Sequence, residues 1–131
     1  MKIIIDTNVL ISAFVFHGKA GSLLDLLLVS RHQLLTTEYI DHELKAKLEQ
    51  KWPEKANTIY TLYLNLPIEH KKSVKAVVDH NLLRDQKDIQ VLQDALYYDA
   101  DVILSGDKDF IDADLDRPLV LSPADLYDFL I

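Results

Sequence analysis

Cysteine is absent from this chain. Disulfides and thiolate chemistry are excluded, and nothing demands an oxidising compartment. Long apolar runs are missing too: none approaches the ~18 residues of a membrane span, and the N-terminus opens straight into a strand-like run without a signal-peptide layout. A cytoplasmic protein is expected. Basic residues are in the minority, with 14 Lys+Arg against 21 Asp+Glu and a formal charge of -7. That balance argues against nonspecific binding of polyanions by the whole surface. A nucleic-acid substrate would need a local basic path or the help of a metal ion.

Several catalytic signatures are also lacking. His17, His32, His42, His70 and His80 form no His-Glu-x-x-His pair, and without cysteine a typical structural zinc site cannot be completed. There is no Gly-x-Ser-x-Gly elbow for a serine nucleophile and no phosphate-binding loop of the Walker type.

What is present fits one domain over residues 1–131, with 49% hydrophobic content to build a core. Continuous β-branched runs bounded by polar turns read as buried parallel strands, and the periodic stretches between them read as helices. The order is βαβα. Residues 2–5 predict the first strand, and Leu23, Leu24, Leu26, Leu27 and Leu28 fill a helix ending near Ser30. A short strand is expected at 33–36. Thr36 or Thr37 caps the next helix, where Ile40, Leu44 and Leu48 form one buried stripe and Glu43 leans toward its edge. Pro53 restarts the chain into a helix carrying Ile59, Leu62, Tyr63 and Leu66. Residues 68–83 fit neither period. Asp88 stands in the first turn of a helix bearing Ile89, Leu92, Ala95 and Leu96. A strand at 102–104, an apolar run at 118–121, and a helix capped by Ser122-Pro123 and running through Leu130 complete the pattern.

Two predicted strands end in carboxylates: Ile3-Ile4-Ile5 runs into Asp6-Thr7-Asn8, and Val102-Ile103-Leu104 into Ser105-Gly106-Asp107-Lys108-Asp109. In an open α/β sheet, ligands bind beyond the carboxyl ends of the strands, where the strand order reverses. Asp6 or Asp88 can equally be a helix cap, Asp107 a turn residue, and Glu43 a surface acid pairing with Lys47. Together, however, two acids end strands and two sit on helices that must pack on the same sheet. Clustered carboxylates repel unless a cation fills the site.

Ile-Ile-Asp-Thr-Asn-Val-Leu at 4–10, Glu43 in a capped helix, Arg84-Asp85 leading to Asp88, and Ser-Gly-Asp-Lys-Asp-Phe at 105–110 resemble a PIN domain. The likeness spans nearly the whole chain and is greatest to the small single-domain toxins of toxin–antitoxin pairs, the VapC-like group. It implies a three-layer α/β/α fold with a central, mostly parallel sheet. It implies an acidic site of Asp6, Glu43, Asp88 and Asp107, with Asp109 as a fifth member and Thr7, Asn8 and Ser105 as polar supports. Ser105 replaces the more usual Thr, and Gln86-Lys87 stands where the group often carries Pro and further acids.

Carboxylate and water oxygens suit Mg²⁺ or Mn²⁺, one or two ions of which can orient and activate water against a phosphodiester. The resemblance therefore implies a metal-dependent endoribonuclease leaving 5'-phosphate and 3'-hydroxyl ends. Asp6, Asp88, Asp107 and Asp109 would be ligands, and Glu43 a ligand or the general base. Arg84, Lys87 and Lys108 can hold phosphates or simply balance charge. Lys45, Lys47, Lys51 and Lys55 can be a solvated face or guide RNA.

A small antitoxin is the implied partner. A homodimer can use the Leu-rich helix at 20–29 or the cluster of Leu126, Tyr127, Phe129 and Leu130, although a helix buries its own apolar face first. Two other classes stay in view: a PIN-like module that binds RNA or protein without cutting, and phosphotransfer through an aspartyl phosphate. A haloacid-dehalogenase site would need a second Asp at position 8, which is Asn.

Overall fold

Ile3, Ile4 and Ile5 are fully buried on β1 (Lys2–Ile5), so both faces of that strand are covered. Such coverage is the setting in which unbroken β-branched runs form parallel strands. In this computed structural model, which describes residues 1–75, 86–111 and 116–130, β1 pairs with β2 (Gln33–Thr37) on one side and β4 (Val102–Leu104) on the other. β3 (Glu69–Lys71) extends the sheet beyond β2, and β5 (Leu119–Leu121) beyond β4. The order is β3-β2-β1-β4-β5 with every pairing parallel. Strand order therefore reverses between β1 and β4, where Ile5 lies opposite Leu104.

Helices complete an α/β/α arrangement. After α1 (Thr7–Ile11) a π-helical turn, Ser12–Phe16, leads to α2 (Gly18–Leu28), and the chain bends there by 103°. Gly18, with φ +47°, serves that break, because a residue without Cβ adopts the left-handed region easily. α3 (Glu38–Lys51) is capped by Thr37, whose hydroxyl accepts from Ile40 N, and it buries Ile40, Leu44 and Leu48 as the spacing predicts. Pro53 opens α4 (Pro53–Leu64), then come α5 (Gln86–Tyr97), α6 (Lys108–Ile111) and α7 (Pro123–Leu130). At the start of α7, Asp125 N donates to Ser122 Oγ. Among the described residues, no single helix is long and apolar enough to cross a membrane.

Some expectations need correction. Leu62 and Leu96 are about half exposed rather than on the core stripes: Tyr63 and Ile59 fill the inner face of α4, and Ile89, Val91, Leu92 and Ala95 that of α5. The ambiguous stretch after 67 contains β3. In the leucine-rich helix, Leu23, Leu24 and Leu27 are core while Val29 is exposed; in α7, Leu126 is core and Phe129 exposed. Positions 76–83, Arg84 and Asp85 lie outside the described residues, as do the side chains of Lys87 and Asp109.

Buried and partly buried polar groups fasten the helices to the strand ends. Asp94, fully buried on α5, accepts from Ser73 Oγ (2.9 Å), Val74 N (2.8 Å) and Gln90 Nε2 (3.1 Å). Ser73 Oγ in turn accepts from Tyr39 N on α3. Asp41 on α3 accepts from Tyr63 of α4 (2.6 Å) and His70 of β3 (2.9 Å). Burial and the bond to Asp41 hold the Tyr63 phenol well above its usual range.

Candidate active site

The site is centred on Asp6, at the reversal of strand order. Its backbone N donates to Leu104 O across the β1–β4 pair, which locks the first residue after β1 to the end of β4. Its carboxylate caps α1 by accepting from Thr7 N (2.8 Å), and Oδ2 accepts from Ser105 Oγ at 2.9 Å. Ser105 Oγ accepts from Asp107 N at 3.1 Å. One fully buried hydroxyl thus ties the two strand-end acids together.

Asp6 is only 7% exposed, and burial pushes its carboxyl pKa up. The bonds from Ser105 and Thr7 pull it down, while the charges of Glu43 and Asp107 push it up again. Asp6, Glu43 and Asp107 therefore share one electrostatic environment, with Glu43 reaching it from the half-buried edge of α3. Beside them the Thr7 hydroxyl oxygen is buried with no hydrogen-bond partner among the described residues.

Asn8 and Lys108 are exposed at the rim, and Asp88 is buried in the first turn of α5. Lys47 reaches the rim from α3, donating to Asn8 Oδ1 at 3.2 Å. Among the described residues, no three acidic or histidine side chains form a ready cluster that could hold a metal ion. The donors nevertheless suit a hard divalent cation. A desolvated carboxylate, two like charges acting on it and an orphaned hydroxyl call for a positive charge that accepts oxygen ligands.

Sequence reasoning did not foresee the buried Asp94 or the partly buried Asp41 as anchors. An acid on a helix ordinarily reads as solvent-facing, and only their side-chain partners, distant in sequence, mark them.

The sequence profile of the PIN domain matches residues 2–109. This chain belongs to the PIN domain family. Among solved structures, it resembles the VapBC2 complex of Rickettsia felis bound to a DNA fragment from its promoter. There the TM-score is 0.71 at 13% identity, over 93% of this chain and 98% of that one. It also resembles VapC20 of Mycobacterium tuberculosis, described as a sarcin-ricin-loop-cleaving toxin. In that case the TM-score is 0.68 at 15% identity, over 86% of this chain and 95% of the other. At such identities the likeness speaks to the fold. No curated protein sequence matches the chain.

Proposed function

We propose that this PIN domain is a metal-dependent endoribonuclease and the toxin of a toxin–antitoxin pair, acting in the cytoplasm. The observation that carries the reading is the buried Asp6 carboxylate, held by Ser105 and Thr7 against the charges of Glu43 and Asp107 where the strand order reverses. Family membership and the two toxin-system folds support it.

Asp6 and Asp107 would hold Mg²⁺ or Mn²⁺, with Asp88 and Asp109 contributing further oxygens. When bound, such an ion lowers the pKa of water and stabilises charge on a phosphodiester. The chain's own residues supply the rest. Ser105 and Thr7 N fix the Asp6 carboxylate by donating to it, so the ligand is oriented before substrate arrives. Glu43, half-buried at the edge of α3, would take a proton from the attacking water on its carboxylate. Asn8, Lys108 and Arg84 hold substrate phosphates. A small antitoxin would cover the acidic groove and place a cation of its own there.

Labelled single-stranded RNA and DNA incubated with the protein and Mg²⁺, Mn²⁺ or EDTA test the reading. RNA is expected to be cut, leaving 5'-phosphate ends, only when a divalent ion is present. A folded protein that leaves varied RNAs intact with both ions would instead be a binding module.

Ser105→Ala provides a finer check. Loss of its hydroxyl raises the Asp6 pKa further and frees the carboxylate to turn. The Mg²⁺ concentration for half-maximal cleavage is expected to rise roughly 10–100-fold, the usual effect of losing a partner that orients a ligand. An unchanged requirement would reduce Ser105 to a core hydroxyl.

A further inference from the structure

Asn8, Ser12 and Phe16 recur every four residues through α1 and the π turn, and all three are exposed. On α3, Glu43, Lys47 and Lys51 recur at the same interval, half-buried at first and then exposed. Residues four apart stack along one helix face, so the elements present two adjacent rows. They are joined at two places. Near the acids, Lys47 Nζ donates to Asn8 Oδ1 at 3.2 Å. Farther along, the Phe16 ring meets the Trp52 ring edge-on, with centroids 5.8 Å apart.

The strip between these joints has the properties of a polyanion track. Lys47 makes its bond to a neutral amide rather than to a carboxylate, with Glu43 one turn before it on the same row. Lys51 and Lys55 flank Trp52 on the wall of an open cavity of about 260 Å³, which Pro53 and the single acid Glu54 complete. Phe16 is 69% exposed, held in water by the π turn and its contact with Trp52. From Lys47 to Trp52 the chain advances only about 7.5 Å at helical rise. Cations lie next to an aromatic ledge, on a protein whose net charge is -7. Lysines that track a backbone beside aromatics that stack bases are the usual means of holding a single strand. A duplex keeps its bases stacked inside and has none to offer the ledge.

Resting on the nuclease reading above, we infer that this strip guides single-stranded RNA away from the carboxylates, with Lys47 and Lys51 on backbone phosphates and an unstacked base on the Phe16–Trp52 ledge. The track sets which side of the scissile bond is gripped. It also gives an acidic protein the local basic path it needs.

Trp52 is the chain's single tryptophan, so its fluorescence reports the ledge directly. The Asp6→Asn chain, expected to leave RNA intact, is titrated in Mg²⁺ with a fluorophore-labelled 12-nucleotide RNA, its duplex, polyphosphate and poly-glutamate. The single strand is expected to quench Trp52 in step with its own anisotropy change. Polyphosphate should compete without quenching, and the duplex should leave the signal alone. Phe16→Ala should weaken single-strand binding roughly five- to hundredfold. Lys51→Glu should lower the salt slope by about one. Both residues are exposed, so melting temperature should not move.

RNA binding with a silent Trp52, no RNA binding at all, or wild-type affinity in both variants would overturn the track. Quenching by poly-glutamate as strong as by RNA would overturn it in favour of an acidic protein segment. Cleavage by the unmodified chain separates the two readings. Cutting with a silent Trp52 removes only the track, whereas quenching without cutting keeps the track and removes the nuclease.

Discussion

An Asp6→Asn chain is expected to lose RNA cleavage and yet melt at a higher temperature than the unmodified protein when both are metal-free. Asn keeps an oxygen to accept from Thr7 N, and its amide can donate to Ser105 Oγ, so the two fastenings of Asp6 survive. What disappears is a buried charge that Glu43 and Asp107 oppose. The loss of activity should exceed the ~10–100-fold that follows removal of a residue supporting a ligand. The gain in melting temperature should be roughly 2–5 °C.

The sign with pH follows from linkage. Burial and like charges raise the Asp6 pKa in the folded chain above its ordinary 3.8. The folded state then holds the proton more tightly than the unfolded state. Asp6 contributes stability below about pH 4 that is lost as pH rises through the elevated folded value. The stability difference between Asp6→Asn and the unmodified chain should therefore open from acid toward neutral pH and then level off. Added Mn²⁺ at neutral pH should close it, because binding to the native state alone stabilises that state. Scanning calorimetry across pH, with and without the ion, measures all of this. Equal melting curves throughout would mean that Asp6 is an ordinary helix cap.

Asp94→Ala should have the largest purely structural effect. It strips acceptors from Ser73 Oγ, Val74 N and Gln90 Nε2 at a fully buried position. Buried donors left without partners cost about 1–3 kcal/mol each when nothing replaces them. Relaxation and solvent entry at the Ser73–Val74 segment reduce the sum, so about 2–4 kcal/mol is expected, or roughly 10 °C in melting temperature. Asp94→Asn keeps one oxygen for Val74 N and Gln90 Nε2 and offers an amide to Ser73 Oγ, and it should recover most of the loss. Urea denaturation of the three chains distinguishes this anchor from a surface acid, for which both substitutions would be silent.

The sequence was most legible where one physical signal dominated. The β-branched run before Asp6 could only be a covered strand. Thr36-Thr37, Ser122 and Pro123 announce helix starts by their capping chemistry, the structure choosing Thr37 of the first pair, and the Ile40–Leu44–Leu48 stripe predicts which edge of α3 carries Glu43. Asp6 and Ser105 were both recognised as strand-end residues. That a single hydroxyl joins Asp6 to Asp107 N depended on β4 lying beside β1, which neighbouring residues do not encode.

β3 was hidden because it is a three-residue strand, Glu69-His70-Lys71, whose polar side chains carry no apolar period. Pairing with β2, and the grip of Asp41 on His70, make it a strand despite its composition. Leu62 and Leu96 misled for the opposite reason. Their spacing suits a buried stripe, but neighbouring residues already fill the inner faces of their helices.

The bond from Ser105 to Asp6 spans 99 positions of chain. During synthesis, the first half of the acidic centre leaves the ribosome long before the residue that orients it has been made. Neither a growing nascent chain nor a fragment ending before Ser105 can carry an assembled centre.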